Sequence, residues 1–416
     1  MTSALPDGWR ICTILDLAPN GIAGGPFGSS LGRKDYVASG VPVIRGSNLS
    51  DPPDFGDGSF VWVSEDKADE LARNLAVPGD IVLTQRGTLG QIARVPYGRY
   101  PRFVISQSQM RVRPAPDLAD PGYVLLAMRS PHFVSQIHRH AIATGVPHIN
   151  LGILNTLTVP LPSLPEQRAI AGVLGALDDK IESNRRLCGT IDELLPLLIS
   201  VNRSGESRSK VKLGDLVHLR KGVSYRRAEL QPSSTAMVSL KCVGRTGEFQ
   251  PEGLKEYVGT PKPDQVVRPG ELVVAQTDLT QGAEVVGRVL RVPSGTGYLQ
   301  LVASLDLVIV RPIDVDPDYL YLVLLQAKFR QHCQARTSGT TVLHLASDAL
   351  PTFEFDLDPP EIQREVSRTA RPLLAKRDRA NAESRTLAEL RDALLPELLS
   401  GRLRVPVAEE IVESAT

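Results

Sequence analysis

Residues 24–31 read GGPFGSSL, a glycine-rich stretch closed by paired hydroxyls, and that composition suits a phosphate. A loop that holds a nucleotide as GxxxxGK[ST] also needs a lysine to reach the β and γ phosphates, and none stands here. GTLG at 87–90 is too short for a dinucleotide fingerprint, and it reads as a hairpin turn rather than a strand-to-helix junction. Asp178-Asp179-Lys180 has the composition of a nuclease motif, but it falls inside an amphipathic helical stretch and reads as a solvated helix face. His138 and His140, two residues apart, point to different faces of a helix and cannot share a metal. Cys12, Cys188, Cys242 and Cys333 form no metal-ligand spacing and suit a reducing compartment as small buried or surface residues. DPPD at 51–54 has the outline of a motif that grips a flipped base, yet Asp54 replaces the aromatic that must stack on that base, so a surface turn is expected. No nucleophile, acid–base pair or metal cluster emerges. The chain by itself is not expected to be an enzyme, and no cofactor is expected on it.

What remains is a set of polar and basic residues on loops. In the first half these are Gly28, Ser29, Ser30, Arg33 and Lys34 after the glycine-rich turn, then Arg45, Ser47 and Asn48. Gln85, Arg86 and Thr88 follow, and then Gln107. The second half offers Lys221, Ser224, Tyr225 and Arg226, then Lys241, then Gln276, Thr277 and Gln281. Arginine paired to guanine and glutamine or asparagine paired to adenine are common base contacts, while glycine, serine and lysine suit a DNA backbone. All of these residues are therefore candidate DNA contacts. For Ser29 and Ser30 a tight structural turn is the alternative, since glycine and proline alone explain such a loop.

The elements that must position these loops are written twice. VPGDIVLTQRGTLGQIARVP (77–96) and RPGELVVAQTDLTQGAEVVGRVLRVP (268–293) share one plan of two β-rich runs around a turn. Tyr123 and Tyr319, His148 and His344, and Gln167 and Gln363 each stand 196 residues apart. A period that long marks a duplicated domain, because solenoid repeats run at about 20–50 residues. Each copy ends in a helical stretch. From Pro165 to Ser200, apolar residues that include Ile170, Leu177, Ile181 and Leu194 recur at spacings of three and four, as one long amphipathic helix would place them. From Pro360 to Ser400, Val366, Leu373, Leu387 and Leu394 trace a comparable stripe, and the two stripes are expected to pack together. Asn184 falls either on the apolar seam, where it would fix register, or on a solvated edge. NRSGESRSK (202–210) reads as a linker.

Length and composition agree with this plan. A chain of 416 residues exceeds one ordinary core, and a hydrophobic content of 42% supports packed domains. No apolar run is long enough to span a bilayer and the N-terminus lacks a signal-peptide pattern, so a cytoplasmic location without membrane contact is expected. The 47 basic and 47 acidic residues balance, and 1–160 alone holds 14 basic and 13 acidic. DNA binding would then depend on local arrangement, or on charge supplied by partners.

GGPFGSSLGRKDYVASGVPVIRGSNL (24–49), ATGVPHINLGILNTLTVPLPSLPEQRAIAGVLGALDDKIESNRRL (143–187) and the duplicated plan resemble the DNA-specificity subunit of bacterial type I restriction-modification systems. The likeness covers nearly the whole chain, and PLPSLPEQ with KIESNRRL carries it most specifically. The second copy departs in detail: DPPEIQREV stands for LPSLPEQRAI, and AKRDRANAESRTL for DDKIESNRRL. The resemblance implies an α+β chain with two repeated target recognition domains, separated by two long antiparallel packed helices in pseudo-two-fold symmetry. The expected divisions are 1–160 and 212–358 for the recognition domains, 161–201 and 359–404 for the helical regions, 202–211 for the linker and 405–416 for a C-terminal tail. It also implies double-stranded DNA, two methyltransferase subunits and a restriction motor subunit as partners. Those partners would bring S-adenosylmethionine, ATP and Mg2+. A helix of about 36 residues would reach roughly 54 Å and set the unread gap of a split site. Two other readings stay open: an enzyme with unrecognised methyltransferase or nuclease motifs, and a coiled-coil adaptor without DNA contact.

Overall fold

The computed structural model describes residues 5–49, 60–98, 100–142, 145–201, 208–280 and 282–415. The DPPD turn, Gln281 and most of the expected linker (202–207) lie outside them. The chain divides into two compact units, one of Met1–Ile181 with Thr386–Thr416 and one of Glu182–Arg385.

In unit 1 a four-stranded antiparallel sheet runs in the order Ile22–Gly24, Gln109–Val112, Ile81–Thr84, Ile92–Arg94. A five-stranded sheet runs Tyr36–Val37, Val61–Val63, Val41–Ile44, Phe103–Ile105, Leu75–Ala76, with one parallel pairing between Val41–Ile44 and Phe103–Ile105. The strand Ile81–Thr84 shows how the layers are joined. Its residues alternate between faces, and both faces are buried. Ile81 and Leu83 enter a core with Tyr123, Phe133 and Ile137 from helices Pro121–Arg129 and Pro131–His140, whereas Val82 enters a core with Ile44, Phe103 and Ile105 of the second sheet. Asp120 and Ser130 cap those two helices, each with proline at the start.

Unit 2 repeats this frame. Its sheet runs Val217–Lys221, Leu307–Pro312, Leu272–Ala275, Val289–Arg291, and a second sheet runs Leu254–Glu256, Thr235–Val238, Gln300–Ala303, Val266–Val267. Leu272 and Val274 face the helix-side core with Tyr319 and Phe329, while Val273 and Ala275 face the other. The landmarks 196 residues apart do the same work in each unit. Gln167 accepts from the Asp120 N–H (2.9 Å) and donates to the Pro162 carbonyl (2.9 Å); Gln363 accepts from the Asp316 N–H (3.4 Å) and donates to the Asp358 carbonyl (2.8 Å). The buried hydroxyl of Tyr123 donates to the Pro160 carbonyl, and that of Tyr319 to the Asp358 carboxylate. Burial raises both phenols above their ordinary pKa.

The helical stretches depart from expectation in three places. The first is not one helix to Ser200. It runs Leu164–Leu194, turns at Leu195 and Pro196, and resumes as Leu197–Val201, because Pro196 removes a backbone donor. The buried stripe runs through Ile191, Leu195 and Ile199 at helical spacing, and Leu194, one residue off it, is 44% exposed; Leu194 is not a packing residue. Ile170, Leu177 and the partly buried Ile181 do pack within unit 1, with Leu387 and Leu394. Val366 and the partly buried Leu373 pack within unit 2, beside Ile191 and Leu195. The partner helix is continuous, Pro360–Leu399.

Asp178, second, is not on a solvated face: it is buried and paired with Arg391 at 2.8 Å. Third, the expected tail holds a helix, Val405–Ala415, with Ala408 in the unit 1 core. Asn184 takes the seam position, 4% exposed, and donates to Glu383 at 2.8 Å. In unit 2 the paired helices are antiparallel, with Asn184 meeting Glu383 and Asp192 meeting Arg377; in unit 1 Asp178 meets Arg391, and Glu166 pairs with Arg404 in the segment that follows the partner helix. All four cysteines are free and buried, and burial pushes the Cys242 and Cys333 thiols up to about 12. Among the described residues no helix is long and apolar enough to cross a membrane.

Candidate nucleic-acid interface

The loops meet where the central strand of each unit ends. In unit 1 that strand runs into Gln85. The Gln85 N–H donates to Ser108, its carbonyl accepts from Ile149, and its side-chain amide donates to the Gln107 carbonyl at 2.5 Å. In unit 2 Gln276 makes the same three contacts, to Asp306, Leu345 and Leu305. His148 pairs in an isolated antiparallel bridge with Arg86, and His344 pairs with Thr277 in a three-stranded sheet.

The glycine-rich loop is pinned beside this junction. A Cβ on Gly25 would collide with the Ser106 carbonyl oxygen, and one on Gly222 with that of Ser304, so both positions require glycine for close backbone approach. Asn74 donates to the Gly24 carbonyl at 2.7 Å, and its counterpart Gln265 donates to the Gly222 carbonyl at 3.1 Å. Gly28 takes φ +58° and opens the short 3-10 turn Gly28–Ser30, whose Gly28 and Leu31 carbonyls accept from Gln107.

In unit 1 these segments enclose a cleft of about 1130 Å³. It brings together Gly28, Ser30, Gln85, Arg86 and Gln107 of the expected contacts. It also gathers Phe27, Arg73, Asn74, His148 and Asn150, which sequence reasoning had not assigned to a site. His148 carried a signal, its constant spacing from His344; Arg73 and Asn74 carried none. Ser29, Arg33, Lys34, Ser47 and Thr88 are exposed outside the cleft lining, and Arg45 is half-buried outside it.

Some expected contacts are corrected. Asn48 is fully buried, and its Oδ1 accepts from the Arg45 N–H at 2.9 Å to close a 3-10 turn. Thr277 is 7% exposed and its hydroxyl donates to Asp306 at 3.0 Å. Neither presents its side chain to a groove. The amides of Gln85, Gln107 and Gln276 are spent as donors to backbone carbonyls, and so shape the loops.

Unit 2 carries a different rim. Lys221, Ser224, Arg226 and Lys241 are exposed. Tyr225 is half-buried, with its hydroxyl held by Lys255 at 2.7 Å and the ammonium 5.0 Å from the ring centre. The segment joining the central strand to the edge strand is longer here, 276–288 against 85–91. Asp278 organises it, accepting from the N–H groups of Thr280, Val285 and Val286. Burial opposes the ionised form, but these bonds outweigh it and hold the carboxyl below its ordinary pKa. Arg330 donates to the carbonyls of Ala283, Glu284 and Val286, and burial together with nearby Arg288 pushes its guanidinium down to about 10. Ala283 sits at φ +50°, a left-handed conformation seldom adopted outside glycine.

Residues 6–191 match the family model described as the type I restriction modification DNA specificity domain. Over those residues the chain is similar to the type I specificity subunits. It is 20% identical over 327 residues to the type I restriction enzyme MjaVIII specificity subunit of Methanocaldococcus jannaschii, covering 73% of this chain and 75% of that one. The MjaIX specificity subunit of the same organism is 20% identical over 436 residues, covering 96% and 95%. A crystal structure of the type I system S subunit from M. genitalium shares the fold, with a TM-score of 0.63 at 16% identity over 96% of this chain and 97% of that one.

Proposed function

We propose that this chain is the non-catalytic DNA-reading subunit of a type I restriction-modification complex, and that each unit reads one half of a bipartite target with an unread interval between the halves. One observation carries the reading: two copies of one backbone frame hold different side chains at the same rim. Gly25 and Gly222, Gln85 and Gln276, and Gln167 and Gln363 preserve the frame, while Phe27, Arg86 and Ser30 in one copy face no like residues in the other. A duplicated scaffold with divergent rims suits the recognition of two different short sequences. Arg73, Arg86 and His148 bring donors to the unit 1 cleft, and the exposed Lys221, Arg226 and Lys241 bring them to unit 2.

The recognition domains are 1–160 and 212–358, and the helical regions 161–201 and 359–404 serve as the scaffold for two methyltransferase subunits and a restriction motor. Methyl transfer to adenine from S-adenosylmethionine, and ATP- and Mg2+-dependent cleavage, belong to those partners. They also supply much of the electrostatic grip that a chain of zero net charge lacks.

Adenine-methylation mapping of the source genome with and without this gene tests the reading. Loss of one split motif is the expected result, and an unchanged methylation map sinks it. Sustained methyl transfer or cleavage by the purified chain alone would sink the non-catalytic assignment. Replacing Ser29 and Ser30 with alanine separates backbone contact from turn: reduced DNA affinity with unchanged folding supports contact.

A further inference from the structure

Phe27 is 88% exposed, although a phenylalanine ring normally contributes to a core. It stands in the lining of the unit 1 cleft, among Arg73, Arg86, His148 and Asn150. The backbone around it is tied from both sides. Pro26 is buried, the Gly25 N–H donates to Gln109 at 2.9 Å and Asn74 holds the Gly24 carbonyl. Beyond Phe27, Gln107 holds the Gly28 and Leu31 carbonyls, and the Ser30 N–H donates to the Phe27 carbonyl at 3.1 Å. The ring is therefore presented by a fixed loop to a cleft whose lining combines apolar residues such as Leu71 and Leu151 with Arg73, Arg86 and Glu70. The ring is not used to stabilise the fold by burial, which leaves its faces open to what the cleft receives.

We propose that Phe27 is an apolar nucleobase contact of unit 1, its ring placed against the face of a base at a step opened in the half-site that this unit reads. The assignment rests on the reading of the cleft as a DNA interface. Aromatic rings stack on any base, and apolar wedges inserted at a step unstack it, while the surrounding arginines hold the backbone. Gly222 is the counterpart of Gly25 in the duplicated frame, which makes Ser224 the counterpart of Phe27. Unit 2 thus has no aromatic ring at this position, and the effect belongs to one half-site alone.

The test uses the full chain assembled with its methyltransferase subunits, on duplexes carrying the split motif found by methylation mapping, with 2-aminopurine placed singly along each half. Wild-type binding is expected to raise the fluorescence of one probe in the unit 1 half, and F27A to abolish that rise. F27A should weaken target binding by about tenfold to a hundredfold, with F27W restoring it, and should change nonspecific binding by less than about threefold. The thermal midpoint of F27A should match the wild type, and S224A should leave probes in the other half unmoved. If F27A binds the target and lights the probe as the wild type does, the assignment is overturned while the cleft reading stands. If F27A instead lowers retention of the methyltransferase subunits and the assembled complex binds DNA normally, Phe27 is a protein contact and the proposal fails. A wild-type complex that does not prefer its mapped motif over a scrambled duplex overturns the cleft reading itself.

Discussion

The two rims differ in how they are made rigid. In unit 1 the seven residues between Thr84 and Ile92 form a short turn, and the glycine-rich loop beside it is held by side chains from elsewhere, Asn74 and Gln107. In unit 2 the corresponding thirteen residues form a longer loop with its own internal anchor, Asp278, and an arginine strap, Arg330, from helix Ala327–Gln334. Beneath both, the strand ends, the aspartate-capped helices begun by Asp120 and Asp316, and the buried glutamines coincide. The rims can diverge because the frame needs only a few shared contacts. Each rim can then be rebuilt by changing loop length and strapping, without disturbing the sheets.

Breaking the shared frame should give the largest effects, and equal ones. Gly25→Ala and Gly222→Ala each drive a methyl into a carbonyl oxygen, and each should destabilise its own unit by roughly 3 kcal/mol, read as two separate losses in thermal unfolding. Unequal losses would show that the frames are not equivalent. Gln167→Leu and Gln363→Leu leave a helix-start N–H and a carbonyl without partners inside the protein, and should cost about 2–3 kcal/mol apiece, checked by urea denaturation.

Changes to the straps should separate the units. Arg330→Met removes three carbonyl contacts and should free 283–286 to exchange amide hydrogens faster, with a local loss of about 2 kcal/mol and blurred selection at the unit 2 half-site only. Arg86→Ala should weaken binding by about 1–3 kcal/mol if the guanidinium reads a guanine. Titration against duplexes altered in one half at a time would place the loss in the unit 1 half.

The smallest effect concerns pH. Asp278 has a depressed folded pKa, so the stability it contributes is fully present above its ordinary value of 3.8 and is lost as pH falls through the lower folded value. Amide exchange at Val285 and Val286 should accelerate in that acid window, relative to the intrinsic rate, in the wild type. The Asp278→Asn protein should show no such step.

Much of the frame was legible because duplication leaves pairs. The tyrosine and glutamine landmarks 196 residues apart are buried in both units with hydrogen bonds in like places, since a buried polar side chain must keep a partner wherever the fold recurs. His148 is half-buried and His344 exposed, each paired through its backbone. The helical stripes were legible from period alone, except that Leu194 fell off the buried face and Pro196 interrupted the first helix. The site was less so. Part of the cleft lining comes from residues such as Arg73, Asn74 and Asn150, which are ordinary surface types in sequence. Asn48 and Thr277, polar and next to loops, proved to be buried within turns and strands.

Composition, spacing and repetition by themselves determined the duplication and the amphipathic helices, because each depends on local geometry or on internal comparison; the need for glycine at 25 came only from the approach of the Ser106 carbonyl. Tertiary structure alone decided which polar side chains are free and which are consumed. A glutamine amide donates equally well to a base or to a backbone carbonyl, and only the arrival of Gln107 beside Gly28 shows which it meets. The same is true of Phe27. Its exposure follows from loops more than forty residues away closing over its neighbours and leaving the ring outside.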